Sequence, residues 1–289
     1  MTTSTRAPIP APAGPATAYQ GDIARYWNNE ERPVNLRLGE IDGLFHHHYG
    51  IGEADQTVLA GPEDGREQRI INELHRLESA QANLLLDHLG DITPQDRLLD
   101  AGCGRGGTSV MAHQRFGCDV TGVSLSTKQV DFANHRATEL GIQDLVRYRV
   151  RNMLDTGLDT GTLAASWNNE SSMYVDLGDL FAEHSRLLRH GGRYVVITGC
   201  YNEVYGQPSK PVSLINAEYE RNCHGRREYF SALAANRLIP AYVQDLTPLA
   251  IPYWELRAQA GVATGIEDAF LNGYKDGSFQ YLLIAADRV

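Results

Sequence analysis

Residues Leu98-Leu99-Asp100-Ala101-Gly102-Cys103-Gly104-Arg105-Gly106-Gly107 close an apolar strand pattern and open a helical one. Glycines here permit a tight turn and let a ligand approach the backbone closely. A bare Gly-x-Gly also fits a plain strand–helix turn, so the acid before it matters. A dinucleotide fold favours a third glycine and helix N–H groups facing a pyrophosphate. Asp100 at the strand end instead suits a ligand that carries an ammonium group.

Downstream of this turn, short apolar runs alternate with helical stretches. Strands are predicted over Arg97–Ala101, Asp119–Val123, Val146–Val150, Leu163–Trp167 and Arg193–Thr198. Helices are predicted over Gly107–Phe116, over Thr127–Leu140 with Gly141 as its C-cap, and over Leu180–Leu188. The stretch 200–225 breaks the pattern. A helix over Arg226–Asn236, a strand over Ala241–Leu246, one long helix over Ala258–Tyr274 and a strand over Gln280–Ala286 follow. The alternation implies an α/β, Rossmann-like fold: a mostly parallel seven-stranded sheet covered on both faces, with an insertion after strand 5.

Upstream, residues 1–18 are rich in Thr, Ala and Pro. Such a segment cannot repay its ordering entropy and is expected to be disordered. Residues 19–90 are expected to form a helical N-terminal cap, with apolar positions at helical spacing from Ile70 to Leu85. Residues 91–289 then form the ligand-binding domain, and 200–225 adds to the cap.

Other strand ends carry polar groups, and ligands of open α/β sheets lie beyond those ends. Ser124, Leu125 and Gln129 follow the second strand and can reach ribose hydroxyls. Ser126 also reads as the N-cap of the next helix. Asn152, Met153 and Leu154 follow the third strand and suit an adenine, polar at its edge and apolar on its face. Asn168 and Glu170 follow the fourth. An adenosine body together with an ammonium group predicts S-adenosyl-L-methionine.

The chain has 289 residues, 42% hydrophobic and 21% charged, enough for a core without a metal or disulfide staple. A net charge of −10 argues against nucleic-acid binding, which needs a basic surface. Local arginines can still hold a small anion. The four cysteines show no CxxC spacing and read as reduced thiols. No apolar leader and no run of about 18 apolar residues is present, so the expectation is a cytoplasmic protein without membrane attachment.

These residues resemble class I methyltransferases. The form Gly122-Val123-Ser124-Leu125-Ser126 with Gln129 resembles the branch that methylates alkene carbons, including cyclopropane fatty acid synthases. Further blocks resemble the geranyl diphosphate C-methyltransferases, a prenyl diphosphate C-methyltransferase family. They are Tyr26-Trp27-Asn28-Asn29, residues 32–38, His46-His47-His48-Tyr49-Gly50-Ile51-Gly52, Trp167-Asn168-Asn169-Glu170-Ser171, residues 205–210 and residues 252–257. The likeness covers essentially everything after residue 18. It implies a reaction in which the C2=C3 π bond of the substrate attacks the sulfonium methyl. A tertiary cation forms at C3, a base removes the C2 proton, and magnesium accompanies the diphosphate. It also implies a homo-oligomer.

Within that resemblance Glu170 is the expected base, since a carboxylate steadies a cation and accepts its proton. Tyr49, Tyr174, Tyr219 and Trp254 are expected to present aromatic faces to the cation. The family usually has Phe at position 219 and Trp at position 211, where this chain has Tyr219 and Pro211. A longer prenyl chain, or methylation at C6, is therefore an alternative. Arg37, His47 and Arg257, assisted by Asn35 and Tyr49, are expected to hold the diphosphate, because an arginine fork binds two phosphate oxygens. The three adjacent histidines are not read as a metal site, since neighbouring side chains diverge and no carboxylate or Cys completes a ligand set. Magnesium is expected on the substrate phosphates, without a protein cage. A methyltransferase for another small acceptor would not need the Arg and His blocks. A non-catalytic subunit would be expected to lack the base.

Overall fold

The computed structural model describes residues 14–29 and 33–289. Most of the segment expected to be disordered, and Arg32, lie outside the described residues. Helix α1 (Ala18–Asn29) already begins inside that segment, because Thr17 Oγ1 accepts the Gln20 N–H and closes its first turn. Next come α2 (Pro33–Gly39), α3 (Arg66–Asp87), β1 (Arg97–Ala101), α4 (Gly107–Phe116), β2 (Asp119–Ser124), α5 (Thr127–Glu139), β3 (Val146–Val150) and β4 (Leu163–Asn169). Then follow α6 (Leu177–Leu187), β5 (Leu188–Tyr201), α7 (Lys210–Glu218), α8 (Arg226–Ala235), β6 (Leu238–Asp245), α9 (Thr247–Arg257), α10 (Glu267–Lys275) and β7 (Phe279–Arg288).

The seven strands lie in the order β3-β2-β1-β4-β5-β7-β6. The first five are parallel, and β7 runs antiparallel between β5 and β6. The mostly parallel seven-stranded sheet read from the alternation is thus met. Both faces are buried, as period-2 side chains require when helices cover both sides. Leu98, Val195 and Ile197 pack with α3, α9 and α10 in one core. Their neighbours Leu99, Tyr194 and Val196 pack with α6 and α8 in the other. Strand order reverses between β1 and β4, so a crevice opens at their carboxyl ends.

Three local readings change. The single helix expected over Ala258–Tyr274 forms only as α10: α9 ends before it, at Arg257, and residues 258–266 are turn and loop. Gly265 between them adopts φ +90°, and the Glu267 carboxylate accepts the Thr264 and Gly265 N–H groups, which starts α10 afresh. Helix α9 itself was hidden by Pro252, which lies inside it. Helix α7 was also missed; Ser209 caps it, and Pro211 sits in its first turn, where a missing N–H costs little.

Candidate active site

The glycine turn is built as its sequence demands. Gly102, Gly104 and Gly106 all have positive φ, at 82°, 54° and 85°. The Gly102 and Cys103 N–H groups both donate to the Val123 carbonyl, at 2.8 and 3.0 Å, tying the turn to β2. A cleft opens in front of it. Gly102, Gly104, Ser124, Leu125, Gln129, Asn152 and Met153 line this cleft. The mixed polar and apolar lining suits a nucleoside cofactor. Ser124 Oγ donates to Gln129 Oε1 at 3.1 Å, and Ser126 caps α5 by accepting the Gln129 N–H.

Three predicted cofactor residues sit elsewhere. Asp100 lies behind the turn, where Ser109 Oγ donates to its Oδ2 at 2.7 Å and burial pushes its carboxyl up to about 7. It lines a small void with His46 and Gly107, which adjoins the main cleft through His47, Gly102, Gly104 and Asn169. Asn168 is fully buried. Its Nδ2 donates to the Ala101 carbonyl and its Oδ1 accepts the Tyr194 hydroxyl, so it braces β1 from below. Leu154 serves the cleft only through its N–H, which donates to Asn152 Oδ1 at 3.0 Å.

Sequence reasoning did not single out the cap residues that cover this cleft. Gln20, Ile23 and Trp27 of α1 line it, and Asn152 Nδ2 donates to Gln20 Oε1 at 2.8 Å. Arg151 lines it as well. Ser126 Oγ donates to the Trp27 carbonyl and to Asn28 Oδ1, which fastens α1 to α5. Such a contact joins residues about a hundred positions apart, so local periodicity carries no trace of it.

A second compartment adjoins the first. Trp27, His47, Glu170 and Tyr174 belong to both. Asn35, Tyr49, Tyr219, Arg221 and Arg257 line the second. Arg257 Nε donates to Glu267 Oε1 at 3.1 Å, both side chains are buried, and Arg257 Nη2 finds no hydrogen-bond partner among the described residues. Arg37 is not brought here. Its guanidinium pairs at 3.2 Å with Glu67 and stays 41% exposed. Trp254 stands one layer back: it stacks on Phe270 at 3.8 Å and backs Tyr49 at 4.7 Å. Pro211 is not on the compartment wall; it faces α10, near Gly273. Of the three histidines only His47 lies between the compartments, while the His46 and His48 rings meet each other at 3.2 Å.

Glu170 occupies the junction. It follows β4 with φ 53°, a left-handed conformation that costs a non-glycine residue about 1–3 kcal/mol and marks a constrained site. Its N–H donates to the Ile197 carbonyl at 3.0 Å, which holds it there. Burial pushes its carboxyl up to about 7, although the Arg221 guanidinium and the Tyr281 hydroxyl pull it down. Oε2 accepts from Arg221 Nη1 at 3.4 Å, and Oε1 finds no hydrogen-bond partner among the described residues.

This burial has a thermodynamic signature. A carboxyl whose folded value is raised favours the protonated fold. Its contribution is full below the ordinary 4.5 and is lost as pH rises through about 7. Glu170→Gln is therefore expected to stabilise the free protein at pH 8 by about 2 kcal/mol and to change it little at pH 5. Urea denaturation at the two pH values checks this; an equal effect at both would place the carboxyl in water.

Residues 99–196 match the family model for a methyltransferase domain. The chain is 66% identical to geranyl diphosphate 2-C-methyltransferase of Streptomyces lasalocidi, over 98% of each chain. It is 65% identical to that of Streptomyces coelicolor, over 100% of this chain and 98% of the relative. A solved geranyl diphosphate methyltransferase in complex with GPP and sinefungin superposes with a TM-score of 0.93 at 69% identity, covering 95% of this chain and all of that one. The Streptomyces coelicolor A3(2) enzyme in complex with Mg2+, geranyl-S-thiolodiphosphate and S-adenosyl-L-homocysteine gives 0.94 at 66% identity, covering 96% and 100%. With a glycine-lined cleft and a carboxylate at its junction with a cationic, tyrosine-rich compartment, the chain belongs to the geranyl diphosphate 2-C-methyltransferase family of S-adenosylmethionine-dependent enzymes.

Proposed function

We propose that this protein methylates C2 of geranyl diphosphate with S-adenosyl-L-methionine, and that Glu170 is the base. The observation that carries the reading is Glu170 itself. It is the carboxylate shared by the glycine-lined cleft and a compartment holding two guanidinium groups.

When bound, S-adenosylmethionine supplies an electrophilic methyl group. Magnesium fits as companion to the substrate diphosphate; the donors here are guanidinium, amide and phenol groups, which suit phosphate oxygens better than a metal. Arg257 Nη2 and Asn35 Nδ2 hold the diphosphate. Tyr49, Tyr174 and Tyr219 present π faces to the cation developing at C3, each worth roughly 0.5–2 kcal/mol. Trp254 and Phe270 fix the Tyr49 ring from behind. Trp27 packs edge-on against His47 and Tyr174, closing the junction against water that would trap the cation. Glu170 Oε1 then accepts the C2 proton, and the alkene is restored.

Incubation with S-adenosylmethionine, magnesium and separate C5, C10 and C15 diphosphates tests the reading. The C10 substrate is expected to gain one methyl at C2, located by NMR. Methylation of none of the three rejects it; a C15 preference or a methyl at C6 favours the alternative. Two further parts belong to the same reading. The four free thiols support a reducing cytoplasm. The half-exposed Ile239, Tyr242 and Val243 on edge strand β6 support the homo-oligomer that the resemblance implies. No helix among the described residues is long and apolar enough to cross a membrane.

A further inference from the structure

Arg221 was not singled out by sequence, yet it is the least satisfied buried charge among the described residues. Its side chain is 2% exposed, and Glu170, its ion-pair partner, is 3% exposed. One contact joins them, at 3.4 Å, while Nε and Nη2 of Arg221 find no hydrogen-bond partner among the described residues. The guanidinium lies over the Tyr219 ring at 5.1 Å and lines the same compartment as Asn35 and Arg257.

The position is enforced by the backbone. Glu220 adopts φ 48°, the Arg221 N–H donates to the Asn216 carbonyl, and the Asn222 N–H donates to the Met173 carbonyl. The Cys223 N–H donates to Asn216 Oδ1. The loop therefore holds the side chain inside, at the wall of the compartment, where Nη1 is engaged by the carboxylate and the rest of the fork is left to other acceptors.

We propose that Arg221 is both a ligand of the substrate diphosphate and the positioning residue that keeps Glu170 ionised beside it. The coupling rests on Glu170 as the base. In the free protein the two buried ion pairs, Arg221 with Glu170 and Arg257 with Glu267, cancel in charge. A diphosphate entering this compartment adds negative charge next to the carboxylate, and a like charge disfavours the ionised form. Arg221 lies against the carboxylate and has N–H groups left for phosphate oxygens, so it offsets that repulsion.

The surrounding groups do not replace it. Tyr49 and His48 face the pair from the cap, Tyr174 from the turn after β4, and Cys223 from the same loop. Tyr274 and Tyr281 face it from α10 and β7. Burial keeps Tyr49, Tyr174, Tyr274, Tyr281 and the Cys223 thiol protonated, and it lowers His48 to about 4. Arg257 is ion-paired with Glu267 rather than Glu170 and keeps Nη2 for the diphosphate, and His47, between the compartments, meets Arg105 at 2.8 Å.

The test compares Arg221→Met, which removes the charge, with Arg221→Lys, which keeps it without the fork. Inorganic pyrophosphate with magnesium is titrated by calorimetry into protein loaded with S-adenosylhomocysteine, and kcat is measured from pH 5.5 to 9. Arg221→Met is expected to weaken pyrophosphate about tenfold or more and to move the acid limb of kcat up by about one unit. Arg221→Lys is expected to leave the limb within about 0.3 unit while losing about threefold in pyrophosphate affinity. Parent-like pyrophosphate affinity in Arg221→Met overturns the proposal. Should that variant fail to melt cooperatively, parent-like affinity in Arg221→Lys overturns it instead. An unmoved acid limb with weakened pyrophosphate removes the coupling. Full turnover by Glu170→Gln, in a protein whose Arg221→Met variant loses pyrophosphate, rejects the base and leaves the diphosphate contact standing.

Discussion

Glu170→Gln is expected to lower kcat with geranyl diphosphate by about a thousandfold, the usual scale for removing a positioned base. Gln keeps the shape and the buried volume, so neither the left-handed backbone at this residue nor the packing of β4 has to change. What is lost is the carboxylate that faces the compartment and can take a proton from C2. Binding is expected to hold or to improve, because the substitution frees Arg221 from its ion pair. KM for the diphosphate should therefore stay level or fall while kcat collapses. That split separates lost chemistry from a damaged site. S-adenosylhomocysteine binding, measured by calorimetry, should match the parent. A kcat within tenfold of the parent would remove Glu170 from the mechanism.

The parts of the fold that alternate regularly could be read directly from the chain. Strands β1, β2, β4 and β5 announce themselves because each is buried on both faces and bounded by a turn, edge strand β3 buries Val146 and Tyr148 in alternation, and the helices between them keep an apolar stripe. Helices α7 and α9 could not be read this way. Helix α9 carries Pro252 in its interior, which a local rule penalises, and is buried around most of its circumference, so no amphipathic stripe stands out; α7 is short and buries only Val212 and Ile215. The break between α9 and α10 is made by Glu267 reaching back to Thr264 and Gly265, a capping contact that a count of apolar positions passes over.

The site divides along similar lines. The glycine turn, Ser124, Gln129, Asn152 and Glu170 sit at strand ends, where topology alone sends them to the crevice. Residues contributed by the cap and the insertion are placed by tertiary contact. Arg37 and Asn35 are two positions apart on α2, yet Asn35 faces the compartment and Arg37 turns to Glu67 on α3. Residues two apart on a helix do not share a face, which was the available warning. Arg221 gave no signal, since a lone Arg in a polar loop is normally solvated. Trp254 was read as a cation wall because it is aromatic; its full burial against Phe270 makes it a support for Tyr49.

Gly102→Ala is expected to weaken S-adenosylhomocysteine binding by about a hundredfold or more and to destabilise the fold by roughly 3 kcal/mol. Two effects add. At φ +82° a Cβ is strained whatever the space, and here the space is taken: the new atom would lie 2.4 Å from Ser171 Cβ and 2.6 Å from its Oγ. Ser171 cannot step aside. Its Oγ donates to the Ala101 carbonyl at 2.6 Å and accepts from Asn168 Nδ2 at 2.9 Å, and it adjoins Glu170 in the chain. Relief must come from the turn itself, whose Gly102 and Cys103 N–H groups are anchored on Val123, so the cofactor cleft and the base are displaced together. Gly141→Ala is the control. Gly141 has φ +70°, and a Cβ added there would meet no heavy atom within 4 Å, so only the backbone penalty of about 1–2 kcal/mol applies and binding is unchanged. Calorimetry of both variants with S-adenosylhomocysteine, beside their urea midpoints, separates strain from collision. Binding by Gly102→Ala within threefold of the parent would show that the turn yields, and that the contact with Ser171 does not set the distance between cofactor and base.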